Sequence, residues 1–246
     1  MLIGRETELS VITSALNDAL AGRGSSVCFT GPPGIGKTSL LDTAEAAAGG
    51  FRCLRATGVQ GEFTIGHAAV ADIVTPLRPW LRDIPPPQRE ALESALGWST
   101  AQPRHERFLV SAATLSLLSM AAQQQPVLVL IDDLQWIDPE SLAVLLFVAR
   151  RIGHDAVVIL MARRDGSTTP ELAGIKAFRL AGLSKQQSAG LLTAHRTTPA
   201  VVERLVHESA GNPLAILEAV RQLTAEQLRG SAPLPPDPAR CVADKK

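Results

Sequence analysis

The run Gly31-Pro32-Pro33-Gly34-Ile35-Gly36-Lys37-Thr38 constrains this chain more than any other stretch of its 246 residues. It matches the pattern G-x-x-x-x-G-K-[ST]. A short β-rich segment at 26–30 (SVCFT) precedes it and a helical pattern at 37–48 follows, so the run marks a turn from strand to helix. Unpaired N–H groups converge at such a helix start and favour an anion. Gly34 and Gly36 lack a Cβ, which lets the chain wrap closely and adopt positive φ. Pro32 and Pro33 have no N–H, so the donors come mainly from Gly34 through Thr38, with Gly31, Ile35 and Ser39 completing the loop. A polyphosphate is the expected occupant. Lys37 is expected to place its ammonium between the β- and γ-phosphates, and the Thr38 hydroxyl to ligate Mg²⁺.

The rest of the chain fits a parallel α/β fold around that turn. Apolar residues at helical spacing predict a helix over 6–21. Strands are predicted at 51–57, at 127–131 (VLVLI), at 156–162 (AVVILMA) and, more weakly, at 176–180. VLVLI and AVVILMA do not alternate, as expected of strands covered on both faces. With the strand before the loop, this makes a five-stranded parallel sheet flanked by helices. A long helical insertion at 65–123 separates strands two and three, and its prolines should break it into several helices. A helix is predicted at 139–152. Helical patterns at 184–192, 199–209 and 213–223 predict a small strand-free domain. The domain boundaries are therefore expected at 1–182, 183–230 and a Pro-rich linker or tail at 231–246.

Two further signals carry chemistry. VLVLI ends in Asp132-Asp133, which sets two carboxylates at the sheet edge where α/β proteins bind ligands. Asp132 is expected in the Mg²⁺ shell, and Asp133 to orient or deprotonate an attacking water. Such a pair can also be a simple turn or helix cap, and its partnership with the glycine loop is what favours chemistry. Arg163 ends AVVILMA and could neutralise γ-phosphate charge, but its neighbour Arg164 is an equal candidate on chemistry alone. His67, His105, His154, His195 and His207 show no ligand spacing. Trp80, Trp98 and Trp136 are scattered and are expected as core or interface anchors. Glu62 receives no chemical role.

Composition excludes other classes. With 46% apolar and 20% charged residues the chain is not a disordered one. Lys plus Arg and Asp plus Glu are both 24, and the halves balance too, which argues against direct nucleic-acid contact by this chain. Cys28, Cys53 and Cys241 form no C-x-x-C pair, which argues against a disulfide framework or zinc site and for a reducing compartment. The N-terminus does not read as a signal peptide, and no apolar run approaches the length needed to cross a bilayer. No membrane partner is expected, and the location is expected to be cytoplasmic.

Taken together, IGRETEL, GPPGIGKTSL, VLVLIDDLQWIDPES, ILMARRD and GNPLAILE resemble the STAND class of regulatory P-loop ATPases. Within that class PLRPWL, PPPQREAL and ALGW resemble the large ATP-binding regulators of the LuxR type. The resemblance covers about residues 2–236 and implies an AAA+/STAND-like P-loop NTPase fold. It implies that Ile3, Gly4 and Arg5 sit near the adenine of ATP or ADP and that Asp132 binds magnesium. It also implies that Asp133 is the catalytic acid of the pair, that Arg163 contacts the γ-phosphate, and that Pro213 touches the nucleotide from the helical domain. The function so implied is a regulatory switch with slow hydrolysis, coupled to domain rearrangement or nucleotide-dependent self-association. Full regulators of this type continue into a helical sensor region and a helix-turn-helix DNA-binding domain. The residues after Leu223 fit neither, so the chain is expected to be an ATPase module or a short relative. The alternatives are a stand-alone P-loop ATPase or phosphotransferase, and an interaction module that binds nucleotide only to fold.

Overall fold

The computed structural model describes residues 2–99, 107–166, 172–195 and 197–235. His105, Cys241, residues 100–106 of the helical insertion and the tail beyond residue 235 lie outside these. Five parallel strands form one sheet: β1 (Ser25–Gly31), β2 (Arg52–Thr57), β3 (Val127–Asp132), β4 (Val157–Arg164) and β5 (Lys176–Arg179), in the spatial order β2-β3-β4-β1-β5. β4 thus lies between the strand that feeds the glycine loop and the strand that ends in the acid pair.

Side-chain alternation splits the core in two. Cys28, Val129, Ile159 and Met161 face one side, against α3 (Ala68–Val74), α5 (Arg107–Gln124) and α6 (Pro139–Ala149). Phe29, Leu130, Leu160 and Ala162 face the other, against α1 (Glu6–Leu20) and α2 (Lys37–Ala47). Both faces are buried, which explains the unbroken apolar strands.

The insertion is divided into several helical segments, with breaks at its prolines as expected. Thr75–Arg82 is a 3₁₀ segment that accommodates Pro76 and Pro79, and α4 (Pro86–Ala95) begins with two prolines rather than being broken by them. Proline suits a first turn because the N–H groups there have no helical partner. Arg52 and Arg78 lie over the rings of Trp80 and Trp98, each 4.7 Å from the centroid.

A third apolar cluster, including Val202, Leu205, Ile216 and Val220, joins α7 (Lys185–Leu191), α8 (Pro199–Ser209) and α9 (Pro213–Gln222). A further short helix, α10 (Ala225–Leu228), starts at a capping box on Thr224. Among the described residues no helix is long and apolar enough to cross a membrane.

Candidate phosphate-binding site

The turn after β1 is built as its glycines demand. Gly34 and Gly36 have φ of +76° and +100°, in the left-handed region that favours glycine. Gly36 is the N-cap of α2, and no side chain caps that helix. Its first N–H groups therefore remain directed at the cavity in front of it. The Lys37 ammonium donates to the carbonyls of Gly31 and Pro32, each at 2.9 Å, and so curls back over its own loop. Burial pushes the Lys37 pKa down, and Arg164 acts the same way, while Asp133, Asp132 and Asp165 oppose the shift.

The acid pair lies across the sheet edge. Asp132 is buried, its Oδ1 accepts the Asp133 N–H at 2.9 Å, and its Oδ2 is 3.9 Å from Nη2 of Arg55. Asp133 takes a left-handed backbone (φ +47°) that turns its side chain toward the loop. Asp133, Arg164, Lys37, Thr38 and Pro213 line one cavity of about 350 Å³.

The helical group closes this cavity from above. The Leu214 N–H donates to the Gly34 carbonyl at 3.3 Å, and the Asn212 amide donates to the Pro33 carbonyl at 2.8 Å. A Cβ on Gly34 would lie 2.8 Å from the Leu214 Cβ, so glycine is what lets α9 approach the loop. On the loop's other flank Pro32, Ile35, Ala181 and Asn212 are among the residues lining a second cavity of about 410 Å³.

Not every expected residue reaches these cavities. Gly34, Gly36, Lys37, Thr38, Ser39, Asp133, Pro33 and Pro213 line the first, and Pro32 and Ile35 the second. The Gly31 carbonyl holds Lys37, and Asp132 lies beneath the lining. Arg5 is buried and bridges the carbonyls of Ile35 at 2.7 Å and Ala181 at 2.9 Å, while Gly4 packs against Leu183 and Gln187. Arg5 therefore braces the loop and the linker to α7, Gly4 sits against that linker and Ile3 beside Gly190 of α7, and none of the three lines either cavity.

The structure sets Arg163 and Arg164 apart. β4 runs two residues further than expected because it stays paired with β1, Thr30 opposite Arg163 and Gly31 opposite Arg164. Alternation then sends Arg163 to the Cys28 and Met161 face, away from α2, and Arg164 into the cavity with Lys37. Burial pushes the Cys28 thiol up and the charge of Arg163 opposes that rise, which agrees with that placement.

Two polar residues without a clear functional signal in the sequence also shape the site. Gln135 bridges Asp133 and Arg164. Asp138 caps α6 and also accepts the His67 N–H at 2.8 Å, which gives His67 a backbone role. A sequence signal for Asp138 exists, since Asp-Pro-Glu is a common helix start.

The residues present fit a nucleotide phosphate chain: an uncapped helix start, two glycines at positive φ and a buried ammonium face one cavity. Among the described residues no cluster of three or more His, Cys, Asp or Glu could hold a metal ion alone. A divalent ion here would lean on Thr38, Asp132 and the phosphates it neutralises.

Known proteins give a consistent context. The family described as AAA ATPase domain matches residues 1–160, which takes in the loop and the acid pair but stops short of Arg163, Arg164 and the helical group. An uncharacterized protein of Rhizobium meliloti (strain 1021) is 29% identical over 210 residues, covering 73% of this chain and 20% of that protein. In fold, the chain is similar to a Pyrococcus horikoshii STAND protein with a tetratricopeptide repeat sensor. That likeness has a TM-score of 0.57 at 20% identity and covers 90% of this chain and 30% of the other. It is also similar to a RuvB variant of Thermotoga maritima, with a TM-score of 0.51 at 15% identity, over 89% of this chain and 62% of the other. The five-stranded parallel sheet is thus that of P-loop NTPases. The chain spans less than two thirds of the length of each of these proteins.

Proposed function

The chain belongs to the AAA ATPase domain family, and from that premise we propose that it works as an ATP- and Mg²⁺-dependent switch module of a LuxR-type regulator of the STAND class. Lys37 and the N–H groups from Gly34 to Ser39 bind the phosphates, and Thr38 with Asp132 holds Mg²⁺, which when bound neutralises phosphate charge. Asp133 orients or deprotonates the attacking water, and Arg164 rather than Arg163 balances γ-phosphate charge. The cavity flanked by Pro32, Ile35 and Ala181 receives the base and ribose, with Arg5 bracing its walls. Adenine as the base rests on the family. Hydrolysis is slow and its product changes how the helical group sits on the loop and whether copies self-associate. Promoter contact falls to a DNA-binding domain outside these residues, a reading supported by the balanced charge of this chain. The module works in the cytoplasm.

One observation carries this reading. The first turn of α9 is hydrogen-bonded to loop carbonyls beside Lys37, so whatever occupies the loop meets the helical group directly. A ligand shifts a conformational equilibrium only through contacts that differ between its states, and the proposed switch makes them at this junction. The test is calorimetric titration with ATP, ADP and GTP in Mg²⁺, with sizing of each complex. ATP and ADP should bind and Lys37→Ala should lose binding at least about tenfold. Equal affinity in that variant, or a preference for GTP, would overturn the assignment.

A further inference from the structure

Asp133 lies on the first residue past β3, where nothing in the strand fixes its side chain, and the carboxylate is about one-third exposed. Its contact with Arg164 is loose, with Oδ1 at 3.8 Å from Nε and both groups partly exposed. A pair of that kind orients a carboxylate weakly. The oriented contact comes from Gln135 instead, whose Nε2 donates to Asp133 Oδ1 at 2.6 Å. At the other end of the same amide, Oε1 accepts the backbone N–H of Arg164 at 3.0 Å. The orientation is unambiguous in chemistry, because a backbone N–H can only donate and a carboxylate can only accept.

The local chain is arranged to present this amide. Leu134, fully buried, anchors a 3₁₀ turn over Leu134–Trp136, and the Trp136 N–H closes it on the Asp133 carbonyl at 2.8 Å. The turn sets Gln135 between the ends of β3 and β4.

We propose that Gln135 is a positioning residue for the reaction. It holds the Asp133 carboxylate in one rotamer facing the cavity shared with Lys37, and ties that rotamer to the strand end that carries Arg164. This rests on the reading of Asp133 as the residue that acts on water. An amide is required because it offers a donor and an acceptor at opposite ends of one planar group. Glutamate has the same shape but only acceptors when ionised, and asparagine is a methylene too short to span both contacts.

The test uses the full chain, with single-turnover hydrolysis of Mg²⁺-ATP, calorimetric ATP affinity and melting temperature for Gln135→Ala, Gln135→Met and Gln135→Glu. Affinity should stay within about twofold while the rate constant falls about tenfold or more in the Ala and Met variants, as a misplaced group costs rate before it costs binding. Gln135→Glu should be slowest, although it keeps the shape and the Arg164 contact, because it opposes one carboxylate with another. A residue that merely fills space gives the reverse ranking. Wild-type rates in Gln135→Ala, or Gln135→Glu faster than Gln135→Met, would overturn the proposal while leaving Asp133 in place, provided that Asp133→Asn is slow. An unaltered chain that does not turn over Mg²⁺-ATP would overturn both. Gln135→Met guards against a folding artefact, since it preserves volume and its melting temperature reports any loss of structure.

Discussion

The side-chain amide of Asn212 donates to the Pro33 carbonyl at 2.8 Å, while its Oδ1 accepts from the N–H groups of Leu214 and Ala215 at 3.1 and 3.3 Å. One side chain thus caps α9 and fastens it to the glycine loop. The two jobs are separable. Asn212→Asp keeps the cap and replaces the donor with an oxygen facing the Pro33 carbonyl, whereas Asn212→Ala removes both. The aspartate variant should melt within a degree or two of wild type and release nucleotide faster. The alanine variant should lose about 1 kcal/mol of stability as well. Stopped-flow release of a fluorescent nucleotide, set beside urea unfolding, separates the outcomes.

The two loop glycines at positive φ should respond differently to alanine. A non-glycine residue in the left-handed region costs about 1 kcal/mol, and Gly34 and Gly36 both incur that. Only Gly34 also faces a neighbour, with an added Cβ 2.8 Å from Leu214 Cβ, whereas nothing lies within 4 Å of one on Gly36. Gly34→Ala should therefore push α9 off the loop and raise hydrogen exchange at Leu214 and Ala215. Gly36→Ala should leave that exchange unchanged, with the backbone cost and weaker nucleotide binding its only effects. Exchange mass spectrometry with calorimetry reads both.

Cys28 lies in the centre of the sheet, and burial pushes its thiol from an ordinary 9.0 up to about 12, against the opposing charge of Arg163. The sign follows from which state keeps its proton. Above pH 9 the unfolded chain ionises its thiol while the folded chain keeps its proton, so unfolding gains and stability falls as pH rises toward 12. Cys28→Ala should remove that component, so the stability difference between wild type and variant should drift in the variant's favour above pH 9. At pH 8 iodoacetamide should label exposed Cys53 and leave Cys28 untouched until the sheet unfolds, as peptide mapping will report.

The strands and the loop were legible because burial on both faces leaves an unbroken apolar run and because G-x-x-x-x-G-K-T has few other uses. The strand order was not legible. Nothing local to VVILMA states that β4 inserts between β1 and β3, since parallel pairing is decided by long-range packing. The end of β4 was misjudged for the same reason. Two arginines look like a strand's end in sequence, but Thr30 and Gly31 on β1 continue the ladder beneath them. Gln135 and Asp138 carry no local signature of their roles because each also reaches a residue distant in sequence, Gln135 the N–H of Arg164 on the next strand. Asp138 joins α6 to the N–H groups of His67 and Ala69 across about seventy positions, a relation that no spacing rule contains.

That misjudged strand end sets the sharpest comparison. Arg163 and Arg164 are adjacent and chemically alike, yet the pleat sends them to opposite faces of the sheet. Arg164 shares a cavity with Lys37 and Asp133, so if it meets the terminal phosphate as proposed, Arg164→Ala should weaken ATP by about tenfold and leave ADP, which lacks that phosphate, nearly unchanged. Arg163 lies on the Cys28 side, where its loss removes packing and charge from the sheet. Arg163→Ala should lower the melting temperature and keep the ATP-to-ADP ratio of wild type. Calorimetry of both nucleotides on both variants decides the matter. A ratio that changes in Arg163→Ala and holds in Arg164→Ala would show that the alternation argument for β4 is wrong.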